Sequence, residues 1–160
     1  MATDGFTTCL WFDDQAEEAA HYYVSIFKNS SVGNVSRYTE AGPRPAGSVL
    51  TVEFTANGQR FLALNGGPEF KFTEAISFMI ACADQEEVDY YWTKLTEGGG
   101  EPGPCGWLKD RYGLSWQVVP DRLIELTTHP DPETAARATK AMMAMGKIDI
   151  AALEKAAAGE

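Results

Sequence analysis

A short motif occurs twice in this chain and constrains its fold more than any other feature. Residues 14–17 and 84–87 both read D-Q-x-E, and they lie seventy residues apart. An Asp at a helix start can accept a hydrogen bond from a backbone N–H two or three residues later, and the Glu can reach back. Each copy follows a strand-like run, at 6–12 and 76–83. The repeat predicts two copies of a strand followed by a capped helix.

The segments after the two motifs complete each copy. Apolar residues first recur at i, i+3, i+4 and i+7, the spacing of a helix with one buried face. Strand candidates follow, with a strong hairpin signal at Asn57-Gly58 and a turn near Asp110, whose carboxylate is expected to bond nearby N–H groups. The candidates are 31–39, 48–56 and 59–66 in the first copy, and 104–109 and 114–119 in the second, preceded there by a short or irregular strand. Each half is predicted to be β-α-β-β-β.

The chain after the second copy does not continue the repeat. Pro132 suits the first turn of a helix that is capped by Asp131 and runs to about Met145. Asp149 can cap a last helix, which is rich in alanine and needs a surface to pack against. We expect residues 121–160 to be a helical extension that forms a dimer contact or closes a pocket.

Composition restricts the class of protein. The 160 residues carry a net charge of −10, with 13 Lys and Arg among 23 Asp and Glu, so no nucleic-acid partner is expected. No apolar run approaches the roughly 20 residues of a membrane-spanning helix, and the first residues do not resemble a secretory signal. Three cysteines without C-x-x-C spacing indicate reduced thiols. These features predict a cytoplasmic protein that binds no membrane.

Four segments resemble a known family. They are Leu10-Trp11-Phe12-Asp13, Asn65-Gly66-Gly67-Pro68, residues 105–120 (CGWLKDRYGLSWQVVP) and residues 141–150 (AMMAMGKIDI). With the paired β-α-β-β-β modules, they are similar to the PhnB-like branch of the vicinal oxygen chelate superfamily, which has the glyoxalase and bleomycin-resistance fold. Members of that branch often carry the name 3-demethylubiquinone 3-methyltransferase. A Rossmann-type methyltransferase needs a glycine-rich turn after its first strand, and residues 11–14 (WFDD) do not provide one.

The resemblance implies a fold of the α+β class. Two βαβββ modules would form a cupped mixed sheet, with helices on the convex side and a small-molecule cavity on the concave side. The protein would be a homodimer. Residues 1–120 would form one domain, with modules at about 5–68 and 75–120, and 121–160 would form the extension.

Alternation along the strands assigns side chains to two faces of the sheet. One set is large and apolar and suits the surface beneath the helices: Leu10, Phe12, Leu50, Val52, Phe54, Leu62, Leu64, Phe78, Ile80, Trp116 and Val118. The other set mixes small, polar and aromatic groups: Thr7, Cys9, Trp11, Thr51, Glu53, Ala63, Asn65, Ser77, Met79, Ser115 and Gln117. This second set suits a ligand cavity, and a solvated sheet face is the alternative.

Metal ligands do not occupy the places that the resemblance implies. Enzymes of the superfamily usually hold a divalent ion with one side chain from the first and last strand of each module. By strand position, those places fall at Thr7, Ala63, Ser77 and Gln117. None is the imidazole or carboxylate that a firm site needs, and both histidines lie away from the predicted strands. We predict no metal site and no cofactor.

The predicted ligand contacts come from the second set and the adjoining loops. Trp11 offers an apolar wall with one donor, and Asn65 offers a donor and an acceptor. Glu53 could act as a general base if partly buried, and an exposed charge is the alternative. Cys105 could be a nucleophile, although a packing residue is the alternative because no histidine adjoins it. The full set is Trp11, Glu53, Asn65, Phe72 (as a lid), Ser77, Cys105 and Gln117.

The sequence is compatible with two kinds of function. The first is a metal-free protein that binds a small molecule in the concave pocket. The second is an enzyme, either a lyase or dioxygenase-like activity with an atypical metal site, or a metal-free reaction that uses Glu53 or Cys105. A methyltransferase activity would rest on the family name alone.

Overall fold

The computed structural model describes residues 5–160, which divide into two compact units, residues 5–71 and Phe72–Glu160. The first unit contains β1 (Thr8–Phe12), α1 (Ala16–Ile26), β2 (Ser31–Arg37), β3 (Val49–Ala56) and β4 (Gln59–Asn65). The second contains β5 (Ser77–Cys82), α2 (Gln85–Thr96), β6 (Glu101–Pro102), β7 (Trp107–Lys109), β8 (Ser115–Pro120), α3 (Asp121–Thr127), α4 (Pro132–Met143) and α5 (Ile150–Ala158). The predicted β-α-β-β-β order is confirmed in both units, including the short strand β6.

Each unit builds one mixed sheet of four strands. The strand orders are β1-β4-β3-β2 and β5-β8-β7-β6. In both sheets the first strand pairs in parallel with the last, and the remaining pairs are antiparallel. The fold is therefore of the α+β class with a repeated topology, as the two D-Q-x-E motifs predict.

The core of each unit lies between its sheet and its first helix. In the first unit, Tyr23 of α1 stacks on Phe54 with ring centres 5.8 Å apart, and Phe54 stacks on Phe61 at 5.0 Å. In the second unit, Val88 and Leu95 of α2 are fully buried. The helical stripes in the sequence thus predict the buried faces correctly.

The side-chain alternation predicted for β4 is wrong by one residue. Phe61, Ala63 and Asn65 are buried, whereas Leu62 and Leu64 are only half-buried. The pairing explains this, since Ala63 lies opposite the buried Val52 of β3. Every residue on β4 from Phe61 to Leu64 is apolar, so alternation alone gives no reliable face.

The two helices begin differently despite their common motif. Asp84 accepts a hydrogen bond from the N–H of Glu87, whose carboxylate accepts one from the N–H of Ala83, so the predicted reciprocal cap forms at α2. At α1 the cap residue is Gln15, whose side chain makes no capping bond. Instead, Asn65 Oδ1 of β4 accepts from the N–H of Ala16 at 2.8 Å. The expected cap by Asp14 is therefore wrong, because a neighbouring strand supplies the acceptor.

A buried carboxylate fixes the turn between β7 and β8. Asp110 is 2% exposed and accepts hydrogen bonds from the N–H groups of Tyr112 and Leu114 at 2.9 and 3.1 Å. Its other oxygen accepts from Trp116 Nε1 at 2.9 Å. The predicted turn role of Asp110 is confirmed, and the indole bond adds a tie to the core.

The helical extension, residues 121–160, forms a second apolar cluster within the Phe72–Glu160 unit, and we call this segment the tail. Asp131 and Asp149 cap α4 and α5 as predicted, but α4 ends at Met143, two residues earlier than expected. Helix α3 lies within the predicted helical extension, although no separate helix is predicted there from the sequence. Seven residues form the cluster: Val119, Leu123, Leu126, Ala138, Ile148, Leu153 and Ala157. Among residues 5–160 there is no helix with the length and apolarity needed to span a bilayer.

Replacing Asp110 tests the buried turn. Asp110→Ala leaves two backbone N–H groups and the Trp116 indole without their acceptor, so it should lower the free energy of unfolding by about 2–3 kcal/mol. Urea denaturation measures the change. Asp13→Ala is the matched control, because it removes a carboxylate from a half-exposed pair with Arg44 and should cost less than about 1 kcal/mol.

The tail cluster gives a second stability test. Leu153→Ala removes a fully buried side chain and should lower the free energy of unfolding by about 2–4 kcal/mol. The control is Ile124→Ala on α3, whose side chain is 47% exposed and should cost far less. Equal effects of the two changes would show that the cluster does not stabilise the unit.

Candidate functional site

Each sheet has a face that does not carry its first helix, and we call these the first and second open faces. Pairing places the same-side residues of neighbouring strands together. The first open face consists of Cys9, Trp11, Thr51, Glu53, Leu62 and Leu64. The second consists of Ser77, Met79, Trp107, Lys109, Ser115 and Gln117. Most of the predicted cavity set lies on these faces, whereas Ala63 and Asn65 lie on the helix side of the first sheet.

A cleft of about 500 Å³ lies at the first sheet and contains Glu53. Glu53 is exposed, and its Oε2 accepts a hydrogen bond from Asn34 Nδ2 of β2 at 3.1 Å. Gly33 allows the β2 backbone to lie close to Glu53, since a Cβ atom at residue 33 would be 3.3 Å from the Cβ atom of Glu53. Arg60 and Leu62 of β4 also line the cleft. The cleft therefore contains a carboxylate, an amide and a guanidinium beside apolar side chains.

Trp11 is held at one end of the first open face by the segment after β4. Its Nε1 donates to the carbonyl of Gly67 at 2.8 Å, and Phe70 packs edge-on at 4.9 Å between ring centres. A Cβ on Gly66 would overlap the indole of Trp11, so only glycine fits. The Trp11 indole therefore packs directly against the backbone at Gly66.

Asn65 is 4% exposed and both ends of its amide are engaged. Oδ1 caps α1 at Ala16, and Nδ2 donates to the carbonyl of Val49 at 3.1 Å. The residue also borders a cleft of about 480 Å³ beside α1, with Glu17 and His21. Its hydrogen bonds tie α1, β3 and β4 together.

Ser77 and Gln117 are the two predicted site residues that the structure joins directly. Gln117 Nε2 donates to Ser77 Oγ at 2.9 Å across the parallel pair β5 and β8. These are two of the four places where the superfamily carries metal ligands. On β4, the helix-side position of Ala63 leaves Leu62 and Leu64 on the open face, and neither can bind a metal. No group of three His, Cys, Asp or Glu that could hold a metal occurs within residues 5–160.

The remaining predicted residues have separate surroundings. Cys105 lies in the turn before β7, where its N–H donates to the carbonyl of Met145 and its sulfur lies 3.7 Å from Met143 Sδ. Phe72 is the half-buried first residue of the second unit. Burial and nearby carboxylates raise the pKa of the Cys82 thiol to about 12, and burial also raises the pKa of Cys9. Both thiols are therefore protonated near neutral pH.

Several residues at the clefts were not among the predicted contacts. Asn34 and Arg60 line the cleft around Glu53, and Phe70 packs on Trp11. Trp107 lies half-buried on the second open face. Every residue of β2 is exposed except the half-buried Val32, so alternation along this strand gives no signal that would have indicated Asn34.

A family model and one solved structure show the family, and a second structure shows the fold. The model of the family described as 3-demethylubiquinone-9 3-methyltransferase matches residues 4–119. A putative 3-demethylubiquinone-9 3-methyltransferase, PhnB protein, from Bacillus cereus is 37% identical, with a TM-score of 0.63, over 72% of this chain and 98% of that one. Protein PA1353 from Pseudomonas aeruginosa is 16% identical, with a TM-score of 0.59, over 74% and 98%, and shows the fold alone. None of the curated proteins matches the chain.

Replacing Asn65 tests its structural contribution. Asn65→Ala removes the cap of α1 and the bond to Val49, so it should lower the free energy of unfolding by about 2 kcal/mol. Asp84→Ala is the matched control at the corresponding helix start, where an exposed cap is worth about 1 kcal/mol. Urea denaturation of both variants distinguishes the buried tie from an ordinary cap.

Proposed function

Since the chain belongs to the 3-demethylubiquinone-9 3-methyltransferase family, in the PhnB-like branch of the vicinal oxygen chelate superfamily, we propose that it binds a small polar molecule at the first open face without a metal ion. The observation that carries this proposal is the cleft around Glu53. Its volume of about 500 Å³ lies within the usual range for small-molecule sites.

The cleft offers complementary polar groups at short range. The Glu53 carboxylate and the Asn34 amide lie 3.1 Å apart, so a bound hydroxyl or ammonium could interact with both. Arg60 supplies positive charge at the same cleft, and Leu62 supplies apolar surface. This combination supports a ligand that bears both a donor and an acceptor.

The residues at the superfamily's metal positions do not fit a divalent ion. Thr7, Ser77 and Gln117 offer hydroxyls and an amide, and the β4 residues on the open face are leucines. A firm transition-metal site requires imidazole, thiolate or carboxylate ligands that converge. These side chains therefore do not support a reaction that depends on a metal ion.

The family's methyltransferase description finds little support in these residues. The turn between β1 and α1 is Asp13-Asp14-Gln15, which lacks the glycines of a Rossmann cofactor turn. An enzyme that uses Glu53 as a base is the alternative to a binding protein.

We further propose that the protein is a cytoplasmic homodimer. The superfamily resemblance supports the dimer, and so does the apolar side chain of Met79, which is 62% exposed on the second open face.

Thermal-shift measurements with a panel of small polar metabolites test the proposal. A compound that binds should raise the melting temperature, and Glu53→Gln should weaken its binding by about 5- to 10-fold through loss of a charged hydrogen bond. Glu69→Gln is the matched control, because this exposed carboxylate lies in the same unit but not in the cleft lining. An enzyme would instead lose turnover in Glu53→Gln while it retained most of its affinity.

The metal-free part of the proposal has its own test. Purified protein should contain no stoichiometric metal, and Mn, Fe(II), Ni, Co and Zn ions should leave its melting temperature unchanged. Stoichiometric metal, or clear stabilisation by one ion, would contradict this part and favour the metalloenzyme.

A further inference from the structure

We propose a second binding site, for a small organic ammonium ion that carries a hydroxyl group, in the cleft around Ser115 on the second open face. This cleft lies in the Phe72–Glu160 unit and has a volume of about 220 Å³. At about 30 Å³ per water molecule, this volume corresponds to about seven water-sized groups. The site involves neither Glu53 nor its cleft and does not depend on the function proposed for them.

Ser115 provides the observation that points to a ligand. The residue is 1% exposed, and its Oγ is the buried side-chain oxygen or nitrogen for which the described residues provide no hydrogen-bond partner. Pairing with Lys109 and Ser77 places its side chain on the second open face, and the residue lines the cleft. A buried hydroxyl without a partner is costly, so a ligand that bonds to it gains a preformed contact.

The charges around the cleft favour a cation. Lys109 forms an ion pair with Glu74, with Nζ and Oε1 2.6 Å apart, and Glu101 lies on the same cleft. The hydrogen bond between Lys109 and Glu74 raises the pKa of the ammonium and lowers that of the carboxyl, so both are charged at neutral pH. Two carboxylates against one ammonium leave the cleft with a negative charge.

Trp107 indicates that the cation is an organic ammonium ion. Its half-buried indole lines the cleft on the same side of the sheet as Lys109. An aromatic face with nearby carboxylates attracts an organic ammonium ion through both its charge and its alkyl groups. Ser115 adds a hydrogen bond to a hydroxyl on the same molecule. A small amino alcohol satisfies all three groups.

A side chain must move before a ligand can reach the Ser115 hydroxyl. The contact between Lys109 and Glu74 is the one best suited to open, because their side chains are 34% and 62% exposed and exposed ion pairs add little stability. Glu74 released from Lys109 would then be able to accept the ligand's ammonium group. Ammonium binding and opening of the pair would occur together.

Titration of the whole protein with ethanolamine tests the site. In ¹H–¹⁵N spectra the Trp107 indole resonance, assigned with the Trp107→Phe variant, should shift with a dissociation constant near the millimolar range, as expected for about four non-hydrogen atoms. Ser115→Ala should weaken binding by about 5- to 10-fold, because it removes one hydrogen bond. Its melting temperature should be unchanged or higher, since the variant loses an unpaired buried hydroxyl.

Matched ligands and variants separate the contributions. Ethylamine, which lacks the hydroxyl, should bind the wild type as weakly as ethanolamine binds Ser115→Ala, and glycolate should not bind. Lys109→Gln should tighten ethanolamine binding by a few-fold because it makes the cleft more negative. Ser36→Ala, which removes a strand hydroxyl paired with Thr51 in the first unit, should leave the affinity unchanged.

Three results would overturn the proposal. Equal ethanolamine affinity in Ser115→Ala and wild type would show that the hydroxyl is only a packing group. Tighter binding of glycolate than of ethanolamine would show an anion site. An unperturbed Trp107 resonance at saturating ethanolamine would show that the cleft is not occupied. The outcome of the Glu53 experiments affects none of these results.

Discussion

The parallel ladder between the first and last strand of each unit is the constraint on which the rest depends. It joins Thr8–Phe12 to β4 and Ser77–Cys82 to β8, and parallel strands require a crossover that spans the sheet. The crossover carries a helix, which covers one face and leaves the other open. The open faces, and both clefts proposed as binding sites, follow from that single arrangement.

The two units share this ladder but stabilise their helices differently. Asn65 ties α1 to two strands through a buried amide, whereas α2 has the local cap made by Asp84 and Glu87. The amide that could have contacted a ligand is thus engaged by the fold. The side chain of a polar residue near a pocket can be used to hydrogen-bond backbone groups, because buried N–H and C=O groups must be paired.

The tail reinforces the second unit at the end of β8. Val119 lies on the same side of β8 as Gln117 and is buried in the tail cluster, so α3 to α5 cover that end of the second open face. Gln85 at the start of α2 bonds to the backbone of Ile148 and Ile150 and attaches the tail further. The family model ends at residue 119, so these contacts join the part of the chain that it matches to the residues beyond it.

The sequence by itself determined the repeated β-α-β-β-β order, the α+β class, the caps of α2, α4 and α5, and the family. These depend on local spacing and on motifs that nearby residues complete. Only the tertiary structure decided the face of each β4 residue, the acceptor that caps α1, and the unpartnered Ser115 hydroxyl. Each of those depends on which distant backbone lies opposite a side chain. Alternation cannot fix that pairing where a strand such as Phe61–Leu64 is apolar on both sides.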